Sequence, residues 1–455
     1  MMEQMKPSGV DWIGDIPVSW SINRLKFMLA NEEDSLKVGP FGSSLSGTDY
    51  IPEGKWVFNQ RVVLDNNFID NDTCISDEKF QEMKSFSVYP GDILITTRGT
   101  IGKVAIVPQT APQGILHPCI IKFRLNKKLL LPELLKLLFN ETSYAQEQFA
   151  FMNNSTTIDV IYSYSLKDII LPLIPINEQK AIYAFLHKEC AQIDSIAADL
   201  EKQIALLQQY KKSLITETVT KGLDKSVQMK DSGVEWIGEI PVGWELSRIK
   251  YLTDNHHPYP IGDGDHGMIK ADDYLTEGIP YIRVLNLTWG SGLNLENLVF
   301  ISKEMNSLIK NSELKPNDIL IAKTGATIGK TAIVPDSLPV SNTTSHVGKI
   351  TLANGHDAKY FYYVMTSSIV QKQIQDISAM QSTRPELGIE GLKNLILTVP
   401  PFDIQQHIAR FLDDHCAKID RVLHEKGKQL SVIKQHKKSL IYEYVTGKKR
   451  VKEVR

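Results

Sequence analysis

Laid against itself, the sequence repeats. SGVDWIGDIPV at residues 8–18 returns as SGVEWIGEIPV at 232–242, 224 residues later. A tryptophan follows each copy, Trp20 and Trp244, and then Arg24-Leu-Lys26 and Arg248-Ile-Lys250. The displacement drifts by only a few residues along the whole chain. PGDILITTRGTIGKVAIVP (90–108) returns as PNDILIAKTGATIGKTAIVP (316–335) with Ala326 inserted, NEQKAIYAFLHKECAQID (177–194) as DIQQHIARFLDDHCAKID (403–420), and KKSLI recurs at 211–215 and 437–441. Two copies this long predict two similar domains rather than a solenoid, whose units run to roughly 20–50 residues.

Each copy has the same internal plan. Short β-like runs (DILITT, KVAIVP, CIIKFRL) alternate with Gly/Pro turns and one helix starting near Pro132 in the first copy, proline being favourable in a first turn. The end of each copy differs. Residues 178–220 hold no proline or glycine and space Leu186, Cys190, Ile193, Ala197, Leu200, Ile204, Leu207 and Leu214 by threes and fours. Copy two repeats the register with Leu412, Cys416, Ile419, Leu423, Leu430, Ile433 and Leu440. That is a coiled-coil seam, with Lys211 and Lys437 as matched polar exceptions. Asn177 and Asp403, behind Pro175 and Pro401, are natural N-caps. At 1.5 Å per residue the helix is roughly 60 Å long, and its apolar stripe needs a partner, which the repeat supplies by antiparallel pairing. Gly427 is a weak point of about 1 kcal/mol.

The expected fold is α+β: two similar α/β domains separated by two long helices in an antiparallel coiled coil, with a pseudo-two-fold internal repeat. The expected boundaries are a first domain at 1–176, a central helix at 177–222, a second domain at 223–402 and a C-terminal helix and tail at 403–455.

The bulk numbers exclude more than they suggest. A composition of 42% hydrophobic and 23% charged residues is that of an ordinary globular chain, and a net charge of −2 announces no global attraction to a polyanion. Cys74, Cys119, Cys190 and Cys416 are scattered without metal spacing, so neither metal nor disulfide chemistry is expected. With no export signal and no apolar run near the ~20 residues that span a bilayer, the chain is expected in the cytoplasm and off the membrane. GATIGKT at 325–331 is not a phosphate loop: Thr324 stands where the first glycine belongs, and AIVP continues as a strand. VPPF at 399–402 lacks the Asn or Asp of an adenine-methyltransferase loop, because Val399 cannot bond a target amino group.

Two heads on a rigid spacer form a ruler, and DNA half-sites one turn apart, at ~34–36 Å, are on its scale. The sequence resembles the specificity subunit of type I restriction–modification systems. The resemblance rests on W-I-G-x-I-P-x-x-W in each copy, GPFGSSL…DY…G (39–54) with GDGDHG…DY…G (262–278), the P-x-D-I-L-I…G-x-I-G-K run, and the P-x-x-E-Q helix opening, which reads Ile404-Gln405 in copy two. It covers essentially the whole chain. It implies a non-catalytic subunit in phage defence whose heads are target-recognition domains reading a bipartite target on double-stranded DNA. It also implies two modification subunits that dock on the helices and methylate adenine, and restriction subunits that translocate and cleave. S-adenosylmethionine, ATP and Mg belong to those partners, and no cofactor to this chain. Patchy identity between the heads implies two different half-sites rather than a palindrome.

The expected reading surface is polar: Ser43, Ser44, Asn59, Gln60, Arg61, Arg98 and Lys103 in copy one, and Asp265, His266, Arg283, Asn286, Lys323, Lys330, Asn342, Thr343 and Arg384 in copy two. Arg and Lys suit guanine edges or phosphates, Asn and Gln suit adenine, and Ser and Thr suit either base or backbone. Lys103 and Lys330 share a framework position and are assigned to phosphate. Gly39, Gly42, Gly262 and Gly264 let backbone approach the duplex. Trp12, Trp20, Trp236 and Trp244 are equally placed in both copies, which suits packing. Asp11 and Glu235 suit solvent, and Cys190 and Cys416 a small seam residue. A DNA-free coiled-coil scaffold and a nucleotide-using enzyme dependent on Lys103 or Lys330 are the rival readings.

Overall fold

A computed structural model describes residues 4–11, 13–41, 44–152, 160–290, 292–379 and 385–451. Packing divides the chain into two units, Met1–Glu201 with Lys428–Arg455, and Lys202–Gly427. The division runs through both long helices, Ile176–Lys221 and Phe402–Val445, so each unit holds one head and a segment of each helix.

The first head is built on two four-stranded sheets. One runs Cys74–Ile75, Lys55–Phe58, Gly114–Leu116, Ser87–Val88, with its central pair parallel. The other runs Leu36–Val38, Ile120–Phe123, Ile93–Thr96, Val104–Ile106 and is antiparallel throughout. Ile93–Thr96 and Ile120–Phe123 are buried at every position, which is why they read as unbroken ILIT and IIKF rather than alternating. A short ribbon, Ser21–Arg24 against Ile170–Leu173, leads through Pro175 into the first long helix.

The second head repeats this plan. Ile261–Asp263, Val347–Ile350, Ile319–Ala322 and Thr331–Ile333 form the antiparallel sheet. Val299–Ile301, Ile279–Ile282 and Asn342–Thr343 form the sheet with the parallel pair, here three-stranded. The ribbon is Glu245–Arg248 against Ile396–Val399. Trp20 and Trp244 are buried in their heads, as packing residues should be. Trp236 departs from that expectation at 41% exposure, and Trp12 lies outside the described residues.

Within each unit the two helix segments run antiparallel. In the first, Asp194 and Glu141 bind Lys437 at 2.9 Å and Glu201 binds Lys434 at 2.7 Å. In the second, Lys426 donates to Gln203 at 2.5 Å and Lys211 to both oxygens of Asp420 at 2.6 and 2.7 Å. Numbers rise on one helix as they fall on the other. Lys211–Asp420 and Lys437–Asp194 are repeat images of each other, so the seam lysines have matched partners. Leu186, Leu200, Ile419 and Leu440 are buried in the seam. Ile193, Ile204, Leu207, Leu214, Leu423, Leu430 and Ile433 are half-buried, because two helices alone leave the seam's flanks open. Cys190 and Cys416 are buried; burial pushes the Cys416 thiol up to about 11.

The helix starts correct one expectation. The helices begin at Ile176 and Phe402, so Asn177 and Asp403 lie inside the first turn and are not N-caps. The glutamine two residues on holds the junction instead. Gln179, fully buried, accepts from the Leu131 amide at 2.8 Å and donates to the carbonyls of Leu129 and Ile174 at 2.6 and 2.8 Å. Gln405 accepts from the Asp357 amide at 2.9 Å and donates to the Pro400 carbonyl at 2.8 Å. Leu131 and Asp357 each precede a head helix, Pro132–Glu141 and Ala358–Thr366, so one side chain ties the long helix to the head. The motif's Glu178 serves the first copy alone: it accepts from the Trp20 indole at 2.9 Å and pairs with Arg450 at 2.5 Å, and copy two has Ile404 there. Gln179→Ala and Gln405→Ala each strand buried backbone groups and are expected to cost about 2–3 kcal/mol. Differential scanning calorimetry checks this, and an unchanged melting temperature in both variants rules out the junction role.

Candidate nucleic-acid interface

In each head, loops at one end of the sheets converge. In the first head the Thr97 amide bonds the Cys119 carbonyl at 3.0 Å, the His117 amide bonds Phe58 at 3.2 Å, and Gly39 bonds Ile120 at 2.9 Å. These bonds collect the chain leaving Leu36–Val38, Lys55–Phe58 and Ile93–Thr96 around the turn at 117–119. A fourth strand of chain joins where Arg98 bridges Val160 and the Ile161 amide bonds the Thr97 carbonyl at 2.9 Å. The second head repeats four of these five ties: Lys323 amide to His346 carbonyl at 2.9 Å, Thr344 amide to Ile282 at 3.1 Å, a bridge from Thr324 to Glu386, and Leu387 amide to Lys323 carbonyl at 2.8 Å. Gly264 lies so close to the Thr343 carbonyl that a β-carbon there would sit 2.0 Å from it, which requires glycine.

Several expected readers stand at this end with accessible side chains. Ser44, Arg61 and Arg98 are exposed. Arg61 is flanked at 3.6 Å by Asp65 and by Asp72. Gln60 is half-buried, its amide packed beside Gly99. His266 takes a left-handed backbone (φ 47°) and stays exposed, its Nε2 3.1 Å from Asp263 Oδ1. Lys330 is half-buried. Arg283 is half-buried, donates to the Asn297 carbonyl at 3.1 Å and lies 5.5 Å over the Tyr274 ring. Ser43, Gly42 and Arg384 lie outside the described residues.

Seven expected readers are corrected, because their polar atoms are already committed inside the head. Asn59 caps the helix Gln60–Leu64, accepting from the Val62 amide at 3.1 Å and donating to Thr73 at 3.1 Å. Lys103 gives its ammonium to the Asn140 carbonyl at 2.5 Å, in the last turn of Pro132–Glu141, and burial lowers its pKa. Asp265 is buried and accepts from the Gly267 and Ile269 amides and from the Tyr281 hydroxyl at 3.1, 2.9 and 2.7 Å. Burial opposes its charge, but these bonds outweigh it and hold the carboxyl below its ordinary value. Asn286 bonds the Arg283 amide and the Asn294 carbonyl at 2.9 and 3.0 Å. Lys323, 2% exposed, pairs with Asp263 at 2.5 Å. Asn342 and Thr343 are wholly buried, the first bonded to Asn306, Ile309 and Ser312, the second to Ile282.

The polar-residue search also missed aromatic groups at the same rim of the first head. Phe41 is 86% exposed, and Tyr162 and Tyr164 are 52% and 61% exposed. A comparison of the copies carries their signal, since Gly388 and Glu390 stand where the tyrosines do. Among the described residues no cluster of His, Cys, Asp and Glu could hold a metal, and no helix is long and apolar enough to cross a membrane. The strand Thr331–Ile333 follows GATIGK, where a phosphate loop needs a helix.

A family model described as the type I restriction modification DNA specificity domain matches the chain twice, over residues 47–206 and 261–431. The chain belongs to that family. It is 25% identical over 373 residues to the EcoBI specificity subunit of Escherichia coli, covering 80% of this chain and 75% of that one. It is 24% identical over 376 residues to the MjaVIII specificity subunit of Methanocaldococcus jannaschii, covering 82% of each. Among solved structures, a chain from work on complex assembly and conformational transition of the type I R-M system aligns at TM-score 0.68 and 15% identity, covering 94% of this chain and 98% of that one, which shows a shared fold.

Two outcomes test the corrections. Asp263→Ala strands the buried Lys323 ammonium and is expected to cost about 3–5 kcal/mol, which Asp263→Leu with Lys323→Met recovers; calorimetry of the three proteins decides. Asp265→Asn is expected to cost about 1–2 kcal/mol at neutral pH. Because the native carboxyl titrates below 3.8, its contribution is present above that value and lost as pH falls through the lower native one. The gap between variant and parent in acid unfolding should therefore close below pH 3.8; a pH-independent gap excludes an ionised Asp265.

Proposed function

We propose that this chain is the DNA-reading specificity subunit of a type I restriction–modification complex, with each head reading one half of a bipartite duplex target. The observation that carries the reading is the double match of the specificity-domain family, one on each copy of a duplicated head and helix. The candidate readers are the accessible ones: Ser44, Gln60, Arg61 and Arg98 in the first head, and His266, Arg283 and Lys330 in the second. Ser43 and Arg384 remain candidates from the sequence. The subunit itself performs no chemistry; methylation of adenine, translocation and cleavage fall to partner subunits that use S-adenosylmethionine, ATP and Mg.

The helices supply a docking surface for two modification subunits. The outer face of a two-helix coil is ordinarily charged, yet it carries exposed apolar residues here at repeat-matched places. Ile196 and Val432 lie in the first unit, and Val422 and Leu206, with Tyr210, in the second. Ile196 corresponds to Val422 and Leu206 to Val432. An apolar surface present once per repeat suits a partner that binds twice.

Co-expression with a modification subunit and genome-wide mapping of methylated adenine test the reading. The expected result is a bipartite motif that loses one half when residues 39–61 are exchanged for those of a relative. Arg98→Ala should weaken or relax the first half alone, and His266→Ala the second. A stable complex with an active partner that leaves no motif removes the specificity role.

A further inference from the structure

We infer that Tyr162 and Tyr164 form a duplex contact belonging to the first head alone. The inference rests on the DNA-reading role proposed above and adds a pair of residues to it. The two rings stack on each other, 5.4 Å between centroids and 6° from parallel, while both remain more than half exposed. Two aromatic rings held face to face in water form a ready-made apolar slab edged by two hydroxyls. Burying such a slab on a partner costs little side-chain entropy, because the rings are already ordered against each other.

Position and charge identify the partner. The chain entering the pair is sewn to the loop of Arg98, through the Arg98–Val160 bridge and the bond from the Ile161 amide to the Thr97 carbonyl. The slab therefore begins beside an exposed guanidinium at the converging end of the head. Segments 97–102 and 160–167 carry the exposed Arg98 and Lys167 and no carboxylate, and Asp168, which follows, is paired with Arg24 and Lys26 at 3.0 Å, a rim that suits a polyanion. The repeat then separates DNA from a protein partner. A modification subunit that docks once per repeat calls for the same surface in both heads, but the second head has Gly388 and Glu390 at these positions and Glu386 at Val160. Half-sites that differ call for surfaces that differ. The chemistry is phenolic O–H donation to phosphate oxygens, with the ring faces on the sugars between them.

The test uses the full chain in complex with its modification subunit. If the parent complex yields no bipartite motif, the DNA-reading role itself has failed and the tyrosines are not at issue. With a parental motif established, Tyr162→Ala/Tyr164→Ala is expected to slow methylation about tenfold or more without altering the second half of the motif. Tyr162→Phe/Tyr164→Phe should fall between the two. A p-azidophenylalanine placed at 164 reports contact independently of any effect on folding, and its photocrosslink is expected on the strand at the first half-site. A parental rate in the double alanine variant, or a crosslink that lands on the modification subunit or on the second half-site, overturns the inference.

Discussion

The seam of the long helices is the constraint on which the rest depends. A helix of 46 residues with an apolar stripe cannot remain single in water, and within each unit a segment of its 44-residue repeat mate covers it in antiparallel sense. Antiparallel pairing sends the end of each helix to the other copy's head. Leu440, Ile441 and Val445 accordingly belong to the core that holds Trp20, Leu25 and Met28, and Ile215 and Val219 to the core that holds Trp244, Ile249 and Leu252. Neither head completes its core from its own repeat, which is why the chain's two ends share one unit.

Inside the heads, a polar framework is duplicated as faithfully as the apolar one. The aspartate of P-x-D-I-L-I accepts from the backbone of its own turn, Asp92 from Tyr89 at 2.9 Å and Asp318 from Lys315 at 2.8 Å. A buried lysine stands beside each, and Lys122 and Lys349 donate to the carbonyls of Ser87 and Glu313 at 2.7 Å. Buried polar groups are tolerated only when their remaining valences are met; the other oxygen of Asp92 accepts from Arg124, and that of Asp318 from the Thr351 hydroxyl at 2.6 Å. The variation that remains falls on the rim, where the first head shows Arg98 and a tyrosine pair and the second shows His266 and carboxylates.

The candidate site was less legible than the fold. Choosing polar residues between framework runs led to loops that converge at one end of each head, because glycines and turn residues mark where chain leaves the strands. It did not separate residues that hold a loop from residues the loop presents. Asn342, Thr343 and Lys323 have the chemistry of base readers, yet their atoms are consumed by backbone carbonyls, neighbouring amides and Asp263. Tyr162, Tyr164 and Phe41 were passed over because an aromatic residue reads as core until its exposure is known. The same ambiguity held for Trp236, which reads as a packing residue and is 41% exposed.

By itself the sequence determined the duplication, the helical seam and its register, and the family, because these depend on periodicity and on spacing along the chain. Lys211 and Lys437 are legible there as matched polar interruptions of an apolar stripe, while their partners Asp420 and Asp194 came only with the structure. Only the tertiary structure decided which polar side chains are spent within the head and which face outward. Hydrogen-bond partners such as Gln179 and Leu131, or Asp265 and Tyr281, lie far enough apart in the chain that no local pattern marks them, and burial is settled by what the rest of the fold brings alongside.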